Sequence, residues 1–225
     1  MSQIETIIKW LPLLLKGFWV DVYVSMAAML IGTILGALLG VGQLSRFGGM
    51  RVFSSVVTQF FRNAPWLVLL FFCILLLPFQ MQVAGYTIPF PAWLKGIIGL
   101  SLPVMGNVSE VVRGGIQSIP SAQWEAAEAL ALNRRQTLRI VIFPQAIRRM
   151  LPPWMNVYAV LMMATPLISI VGVEDSVMIA RSVLAAERDT SLLMPVYGLL
   201  LLLFFAYCAP IAHYTRRLEA RFAVQ

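Results

Sequence analysis

The chain has 225 residues, of which 60% are hydrophobic and only 12% are charged. An ordinary soluble domain carries about 25% charged residues, so this composition excludes that class and indicates a membrane protein. The formal net charge of +7 would favour nucleic-acid binding only if the basic residues formed one solvated surface.

The first residues and the cysteines do not indicate a secreted, disulfide-bonded protein. The segment MSQIETIIKW lacks a short positive region followed by a cleavage site, so no removable signal peptide is expected. Cys73 and Cys208 lie inside apolar runs and are predicted to be small buried side chains. Neither they nor His213, the single histidine, has the spacing of a metal site.

Five apolar segments are long enough to be predicted as membrane-spanning helices. They are Phe18–Val41, Val56–Phe79, Trp93–Val112, Trp154–Val173 and Leu192–His213. Charges, proline, glycine or aromatic residues bound each segment, as expected at membrane interfaces. The predicted fold class is therefore all-α, a polytopic membrane protein that forms a single domain over residues 1–225.

Basic residues are distributed unequally across the predicted membrane. Of the 17 lysines and arginines, Lys9, Lys16, Lys95, Arg181 and Arg188 fall on one side. The other side receives Arg46, Arg51, Arg62, Arg113, Arg134, Arg135, Arg139, Arg148, Arg149, Arg216, Arg217 and Arg221. Cytoplasmic loops carry the excess of Lys and Arg. We predict an external N-terminus and a cytoplasmic C-terminus, and the positive charge then reflects topology, with no nucleic-acid partner.

The first span carries Gly32, Gly36 and Gly40 at intervals of four residues. This spacing leaves a groove in which another helix backbone can approach closely, and it leaves open whether that helix belongs to the same chain. Asp21, near the outer end of the span, is expected to pair with Lys16 outside the bilayer core.

The second span starts with FFRNAP at residues 60–65. Asn63 is predicted to cap a helix whose first turn contains Pro65, and that helix would be only about 21 Å long. Two interpretations remain open. The helix either begins at the interface, anchored by Arg62, or begins within the membrane with its N-terminus facing an anionic solute group.

Polar residues interrupt the third span near its inner end. Asn107 and Ser109 are candidates for a polar pore lining. Glu110 and Arg113 are three residues apart, the spacing of an ion pair on a helix surface.

Residues 113–149, called the projection from here on, contain a stretch too polar to enter a bilayer, QWEAAEALALNRRQTLRIVIFPQA at 123–146. Ser118 is predicted to cap a first helix with Pro120 in its first turn. Asn133 is predicted to cap a second helix, with Gln136 completing a capping box. Pro144 is expected to stop or kink that second helix.

Each helix of the projection has an apolar stripe, and a short turn cannot bury both stripes. One stripe is formed by Ala126, Ala129 and Leu130, and the other by Leu138, Val141 and Ile142. The pattern predicts a helix–turn–helix unit that a cytoplasmic protein partner covers.

The fourth span contains Pro166, which lacks an N–H and clashes with the carbonyl group of Met162, so a kink is expected. Thr165, Ser169 and Asn156 are the nearby polar residues. They either form ordinary hydrogen bonds between helices or line a solute path.

The 174–190 loop, after the fourth span, carries four acidic residues on the predicted outer side. They are Glu174, Asp175, Glu187 and Asp189. These residues are either solvated loop charges or part of an outer surface for a partner.

The projection resembles that of the permease subunits of bacterial ATP-binding-cassette importers, most closely the polar amino-acid branch for histidine, glutamate, glutamine, arginine and opines. That family has a cytoplasmic loop of the form E-A-A, three residues, G, nine residues, I-x-L-P. Glu125, Ala126 and Ala127 match its start, and Ala131, Val141, Phe143 and Pro144 occupy its later positions. RGGIQSIP at 113–120, PQA at 144–146 and FFRNAP at 60–65 extend the resemblance over nearly the whole chain.

The resemblance implies that the loop from Glu125 to Ala131, flanked by Asn133 and Pro144, docks into an ATPase subunit and couples nucleotide-driven motion to the spans. It implies an ATPase subunit dimer, a second permease subunit, identical or homologous, and a periplasmic solute-binding protein as partners, in a bacterial inner membrane. The sequence has no G-x-x-x-x-G-K motif, so ATP and Mg²⁺ are expected on the ATPase and no cofactor on this chain. Candidate residues of the translocation path are Asn63, Asn107, Ser109, Thr165 and Ser169.

Two positions depart from the family pattern. Ala131 replaces the usual glycine, and a left-handed backbone there would cost a non-glycine residue roughly 1–2 kcal/mol. Met163, Ala164, Thr165 and Pro166 stand where the family carries a sequence like lysine–aspartate–threonine–serine. Losing both charges weakens the transfer of substrate class from the resemblance.

Other classes of function fit the sequence less well. An intramembrane enzyme needs catalytic polar groups gathered at depth, which one histidine and Asp21 do not supply. A channel or scaffold has no need for the capped helices of the projection. The alternative that remains is an importer of the same type for a different small solute, such as an opine, a sulfur compound or another amino-acid derivative.

Overall fold

The structure is a computed structural model that describes residues 3–83 and 86–222. Helix α1 (Gln3–Gln43) is followed by α2 (Gly48–Asn63) and α3 (Trp66–Leu76). Strands β1 (Gln80–Val83) and β2 (Tyr86–Pro89) lead to α4 (Ala92–Gln117) and α5 (Ser121–Ala129). Helix α6 (Arg134–Gln136) continues through a π-helical turn, Thr137–Ile142, into α7 (Phe143–Ala164). A 3₁₀ segment (Thr165–Val171), α8 (Ser176–Glu187), a 3₁₀ turn (Thr190–Leu192) and α9 (Leu193–Phe222) follow.

The predicted all-α membrane fold is confirmed, with one short addition. Among the described residues, three stretches are long and apolar enough to cross a membrane, namely Gln3–Gln43, Arg134–Val171 and Thr190–Phe222. Helices α2 and α3 together form a fourth candidate span, bent by 103°. The addition is the antiparallel hairpin of β1 and β2, which the sequence did not predict, with Gln80 opposite Pro89 and Gln82 opposite Thr87.

Helix α4 corresponds to the predicted third span, and it is not among the stretches that qualify by apolarity. It packs against α1, α2, α3 and α7, so its neighbours cover most of its surface. Leu100 and Val104 of α4 lie with Val24 of α1, Leu70 of α3 and Leu161 of α7 in one buried cluster. Because protein rather than lipid surrounds α4, it can carry polar residues that a lipid-facing span could not.

The glycines of α1 pack against α4 of the same chain, which settles the question that the sequence left open. A Cβ on Gly36 would lie 2.7 Å from the Met105 carbonyl oxygen, and a Cβ on Gly40 would lie 2.7 Å from the Ser109 carbonyl oxygen. Real Cβ atoms do not approach a backbone so closely, so only glycine permits this helix contact.

The break between α2 and α3 differs from the predicted cap. Ala64 has an extended backbone, as expected of the residue before Pro65, and this turns the chain. Pro65 itself occupies the N-cap position of α3. Asn63 is the last residue of α2, and its Nδ2 donates to the Gln59 carbonyl oxygen at 2.7 Å. The prediction that Asn63 caps the helix that begins at Pro65 was therefore wrong.

The expected kink at Pro166 takes the form of a change from α-helix to 3₁₀-helix at Thr165. Pro166 cannot donate to the Met162 carbonyl oxygen, and the Thr165 hydroxyl donates to it instead at 2.8 Å. Gly172, with φ of 85°, ends the 3₁₀ segment. The carbonyl group that Pro166 leaves without its helical donor thus accepts a local hydrogen bond.

Candidate functional site

The turn of the projection is a Schellman motif with alanine in the place of glycine. Helix α5 ends with Ala131 N–H donating to the Glu128 carbonyl oxygen at 2.8 Å and Leu132 N–H donating to the Ala127 carbonyl oxygen at 3.1 Å. Ala131 has φ of 56°, in the left-handed region that favours glycine. Ala131 therefore adopts the left-handed backbone that glycine adopts without strain, and its Cβ strains the turn.

The second helix of the projection begins with the predicted capping box. Asn133 Oδ1 accepts from Gln136 N–H at 3.0 Å, and Gln136 Oε1 accepts from Asn133 N–H at 2.9 Å. Of the two outcomes predicted at Pro144, the stop was wrong, because helix continues from Arg134 to Ala164. The π-helical turn directly before Pro144 changes the hydrogen-bond register, so the ring enters a helix without ending it.

The cap predicted for the first helix of the projection is also different. Pro120 is the N-cap residue of α5, and no side chain caps it. Ser118 ends α4, and its hydroxyl donates to the Gly115 carbonyl oxygen at 2.8 Å. The prediction that Ser118 caps the first helix was therefore wrong.

The projection presents polar and apolar groups to its surroundings. Glu125 and Ala126 are exposed, whereas Ala127 is buried. Leu130, in the predicted apolar stripe, has 74% of its surface exposed, and Ile140 on the second helix has 63%. Within the described residues these side chains lack a covering element, so the projection is available to another protein.

Two hydrogen bonds and the continuous backbone connect α5 to the ends of α4 and α7. Gln145 Nε2 on α7 donates to Gln123 Oε1 on α5 at 3.1 Å. Arg149 on α7 donates to the Ser118 carbonyl oxygen at the end of α4. The third connection is covalent, since α6 runs through the π-helical turn into α7.

A buried polar network joins α1, α2 and α4 near the end of the bundle that carries the projection. Gln43 Nε2 donates to Ser109 Oγ at 2.8 Å and to Thr58 Oγ1 at 3.2 Å, and the two hydroxyl groups lie 2.8 Å apart. Glu110 forms the predicted ion pair with Arg113 and a second one with Arg62 at 3.6 Å. Ser109 is completely buried in this network.

A cavity of about 730 Å³ with several polar residues in its lining opens beside this network between α4 and α7. It is called the inner cavity because it lies toward the predicted cytoplasmic side. Its lining includes Arg62, Asn107, Glu110, Arg149, Asn156 and Glu219. Charges of both signs and two amides therefore face one space. Asn107 Nδ2 donates to the Pro103 carbonyl oxygen at 2.8 Å, which leaves its amide oxygen as an acceptor at the cavity wall.

The structure does not bring the five candidate path residues together. Asn107 alone among them lines the inner cavity. Thr165 and Ser169 are buried and donate to the carbonyl oxygens of their own helix. Asn63 lines a different, mostly apolar pocket between α2, α3 and α4.

Asp21 has a different partner from the predicted Lys16. It is completely buried, and its Oδ2 accepts hydrogen bonds from the Ser176 N–H and the Ser176 hydroxyl, 155 residues along the chain. A Cβ on Gly17 would lie 2.8 Å from Ser176 Cα, so the start of α8 sits directly on α1. The predicted pair of Asp21 with Lys16 was therefore wrong.

The predicted loop at 174–190 is mostly the helix α8, and its acids differ in environment. Asp175 is buried and caps α8 by accepting from Met178 N–H at 2.8 Å, so it is not a solvated charge. Burial, together with the neighbouring Asp21 carboxyl group, raises the pKa of Asp175 to about 7. Glu174 is exposed.

The other two acids of this segment have local partners. Glu187 Oε1 accepts from Lys9 Nζ at 2.9 Å and from Trp10 Nε1 at 2.6 Å, and these bonds lower the pKa of Glu187. Asp189 accepts from Ser191 N–H at 2.9 Å, and the Ser191 hydrogen bonds lower its pKa. Three of the four acids thus have hydrogen-bond partners within the chain, and Glu174 is exposed.

Lys95 is a buried charge whose role sequence reasoning missed. It is completely buried in α4, and its Nζ donates to the carbonyl oxygens of Leu77 at 2.7 Å and Ile74 at 3.2 Å. The ammonium group also lies 3.5 Å from the Phe79 ring centroid. It caps the C-terminus of α3, where a cation is favourable. The available signal in the sequence was a lysine two residues after Trp93, inside the predicted third span.

Comparison with known proteins places these features in a family. The family model described as "Binding-protein-dependent transport system inner membrane component" matches residues 11–221. The chain is 32% identical to the probable amino-acid ABC transporter permease protein YckA of Bacillus subtilis (strain 168), over 96% of this chain and 92% of that protein. It is 28% identical to the probable glutamine ABC transporter permease protein GlnP of the same strain, over 94% of each.

A solved structure shares the fold. The crystal structure of an amino acid ABC transporter with histidines contains a chain that superposes with a TM-score of 0.80. The two chains are 22% identical, and the match covers 96% of this chain and 99% of that one.

Proposed function

Since the chain belongs to the family of binding-protein-dependent transport system inner membrane components, we propose that it imports a polar amino acid as the membrane-spanning subunit of an ATP-driven transporter. It is a permease subunit and not an enzyme, and ATP hydrolysis belongs to a separate chain. Relatives whose names state a substrate name amino acids or glutamine, which favours an amino acid over the opine or sulfur-compound alternative.

The observation that carries this proposal is the projection. Its exposed face includes Glu125 and Ala126 on α5, and the apolar side chains of Leu130 and Ile140 are also exposed on the projection. A capped turn and a capping box give this face a fixed shape, as a docking element for another protein requires. We assign it to an ATPase dimer that binds ATP and Mg²⁺.

Movement of the projection would reach the inner cavity through rigid elements. α7 continues the second helix of the projection without interruption, and Gln145 and Arg149 bind α5 and the end of α4 to α7. A displacement of α5 by the ATPase therefore displaces the inner ends of α4 and α7. Both helices line the inner cavity, so its shape changes with the nucleotide state.

The lining of the inner cavity suits a zwitterion. Arg149 can bind a carboxylate, Glu219 can bind an ammonium group, and Asn107 and Asn156 can accept or donate hydrogen bonds. Arg62 and Glu110 line the same space and pair with each other. A volume of about 730 Å³ exceeds that of one amino acid, as expected for a vestibule that releases solute.

The remaining parts of the proposal concern orientation and assembly. The arginine-rich end, which includes the projection, faces the cytoplasm, and α8 and Glu174 lie outside, where a periplasmic binding protein would dock. A second permease subunit, identical or homologous, would complete the pathway. The exposed apolar side chains along α1 and α9, such as Leu30 and Phe205, contact it or membrane lipid.

Co-purification tests the ATPase assignment. The tagged chain is extracted in mild detergent, and bound proteins are identified by mass spectrometry. Wild type should retain a P-loop ATPase, and Glu125→Arg should lose it, because a charge of the wrong sign would lie in the docking face. Glu174→Arg is the matched control, since it makes the same change on the outer surface and should retain the ATPase.

Two results would contradict the proposal. One is a folded wild-type chain that carries no ATPase. The other is Glu125→Arg with an unchanged ATPase content. ATP-dependent uptake of labelled glutamine into proteoliposomes then tests the substrate class, with glucose as the unrelated solute.

A further inference from the structure

We propose that the end of the molecule carrying the projection has a binding site for one anionic phospholipid. The site is a pocket of about 1080 Å³, called the basic pocket, between the end of α1 and the second helix of the projection. It is separate from the inner cavity, which α4 and α7 form with the end of α9.

The polar part of the basic pocket carries only positive charge. Arg46, Arg134, Arg135 and Arg139 line it, and its lining has no acidic residue. In the described structure none of these four guanidinium groups has an ion-pair or hydrogen-bond partner, whereas Arg62 and Arg113 at the same end are paired with Glu110. Unpaired guanidinium groups around one pocket favour a phosphate group as the occupant.

Apart from Ser45 and Gln117, the rest of the lining carries no polar side chain, and it continues the exposed apolar surface of α1. Leu38 and Val41 line the pocket, with 67% and 53% of their surfaces exposed. Ile34, one turn further into the membrane on α1, is 55% exposed. Leu138 and Phe143 line the other side. A ligand with an anionic head and an acyl chain fits both parts, because the chain follows α1 while the phosphate meets the arginines.

An acidic protein surface matches these observations less well. It would pair with the arginines and leave the apolar wall of Leu38 and Val41 uncovered at the level of the membrane edge. A lipid would bind the arginines through its phosphate group and cover the apolar wall with its acyl chain. A bound lipid would also contact both α1 and the second helix of the projection. The lipid would therefore stabilise the position of the projection relative to α1.

Tryptophan quenching by brominated lipid tests the site directly, since Trp124 lines the basic pocket. The full chain, with its ATPase where that co-purifies, is placed in nanodiscs containing phosphatidylglycerol or phosphatidylcholine with brominated acyl chains. We expect stronger quenching by phosphatidylglycerol, a preference that falls with added salt, and loss of that preference in Trp124→Phe. The other tryptophans serve as the internal background.

Charge variants assign the preference to the arginines. Arg135→Gln combined with Arg139→Gln should weaken the phosphatidylglycerol preference by about fivefold for each arginine removed. Arg216→Gln combined with Arg217→Gln is the matched control, because these exposed arginines of α9 lie outside the pocket. Gel filtration of each variant verifies that it is folded.

Three outcomes would overturn the proposal. Equal quenching of wild type by the two lipids shows that the pocket does not select an anionic head group, and this result needs no variant. A preference that persists in the Arg135 and Arg139 variant locates the lipid elsewhere. Loss of the ATPase from that variant with an unchanged lipid preference assigns the arginines to the ATPase interface.

Discussion

A methyl group at position 36 has no space between α1 and α4. The Cβ of an alanine there would lie 2.7 Å from the Met105 carbonyl oxygen and 2.8 Å from Val108 Cβ. Neither atom belongs to the end of a flexible side chain, so the clash cannot be relieved by a rotamer change. Gly36→Ala must therefore move α4 away from α1.

The expected loss of stability in Gly36→Ala follows from this geometry. Both atoms must retreat by roughly half an ångström or more before the contacts become ordinary, and overpacking of this kind costs about 1–3 kcal/mol. Alanine also gains helix propensity of about 1 kcal/mol over glycine, which hides part of the clash. Gly198→Ala measures this gain in helix propensity alone, because Gly198 lies in α9 with no neighbouring atom within 4 Å.

The assay is thermal unfolding of both variants in detergent, followed by fluorescence-detected gel filtration. We expect Gly36→Ala to melt several degrees below Gly198→Ala, at roughly 2–4 °C for each kcal/mol. Gly36→Val should melt lower still. If Gly36→Ala melts at or above the temperature of Gly198→Ala, the glycines of α1 do not hold α4 in direct backbone contact and the reasoning fails.

Three further substitutions test other features. Ala131→Gly should stabilise the chain by about 1 kcal/mol, since it removes a Cβ from a left-handed turn. Asp175→Asn should melt above wild type at pH 8, because burial raises the pKa of Asp175 to about 7 beside Asp21, and asparagine keeps the cap without a charge. In wild type the folded state holds a proton that the unfolded chain releases above about pH 4, so stability falls as the pH rises from about 4 to 7. Thr58→Val should cost about 1–3 kcal/mol, since it leaves Gln43 and Ser109 short of a buried partner.

Each of these substitutions has a control, and melting temperature is the measurement throughout. Ala129→Gly lies in helical backbone and should destabilise, so equal effects at 129 and 131 would refute the strain at Ala131. Asp189→Asn removes the charge of an exposed capping residue whose pKa is lowered, and the same pH response from both aspartates would contradict burial as the cause. Thr87→Val changes an exposed threonine, and a loss as large as that of Thr58→Val would exclude the buried network.

Local patterns in the sequence were sufficient for the membrane class, for most of the spans and for the start of the second helix of the projection. Runs of apolar residues predict helices across a bilayer because no other open structure satisfies the backbone there. The capping box of Asn133 and Gln136 and the ion pair of Glu110 and Arg113 were predicted correctly, since their partners are three residues apart. Motif spacing around Glu125 also pointed to the family. Partners within one helical turn were not always predicted correctly, however, since Asn63 and Ser118 do not cap the helices predicted for them.

The tertiary structure decided the features whose partners are distant in the chain. Asp21 meets Ser176 rather than Lys16, and Ser109 joins Gln43 and Thr58 inside a three-helix junction rather than lining a pore. The third span was predicted from the sequence, but its surroundings were not: α4 tolerates polar residues because other helices surround it. Which polar group becomes a cavity wall and which becomes a buried contact depends on how helices pack. That packing is set by many weak, long-range contacts together, and no local pattern encodes it.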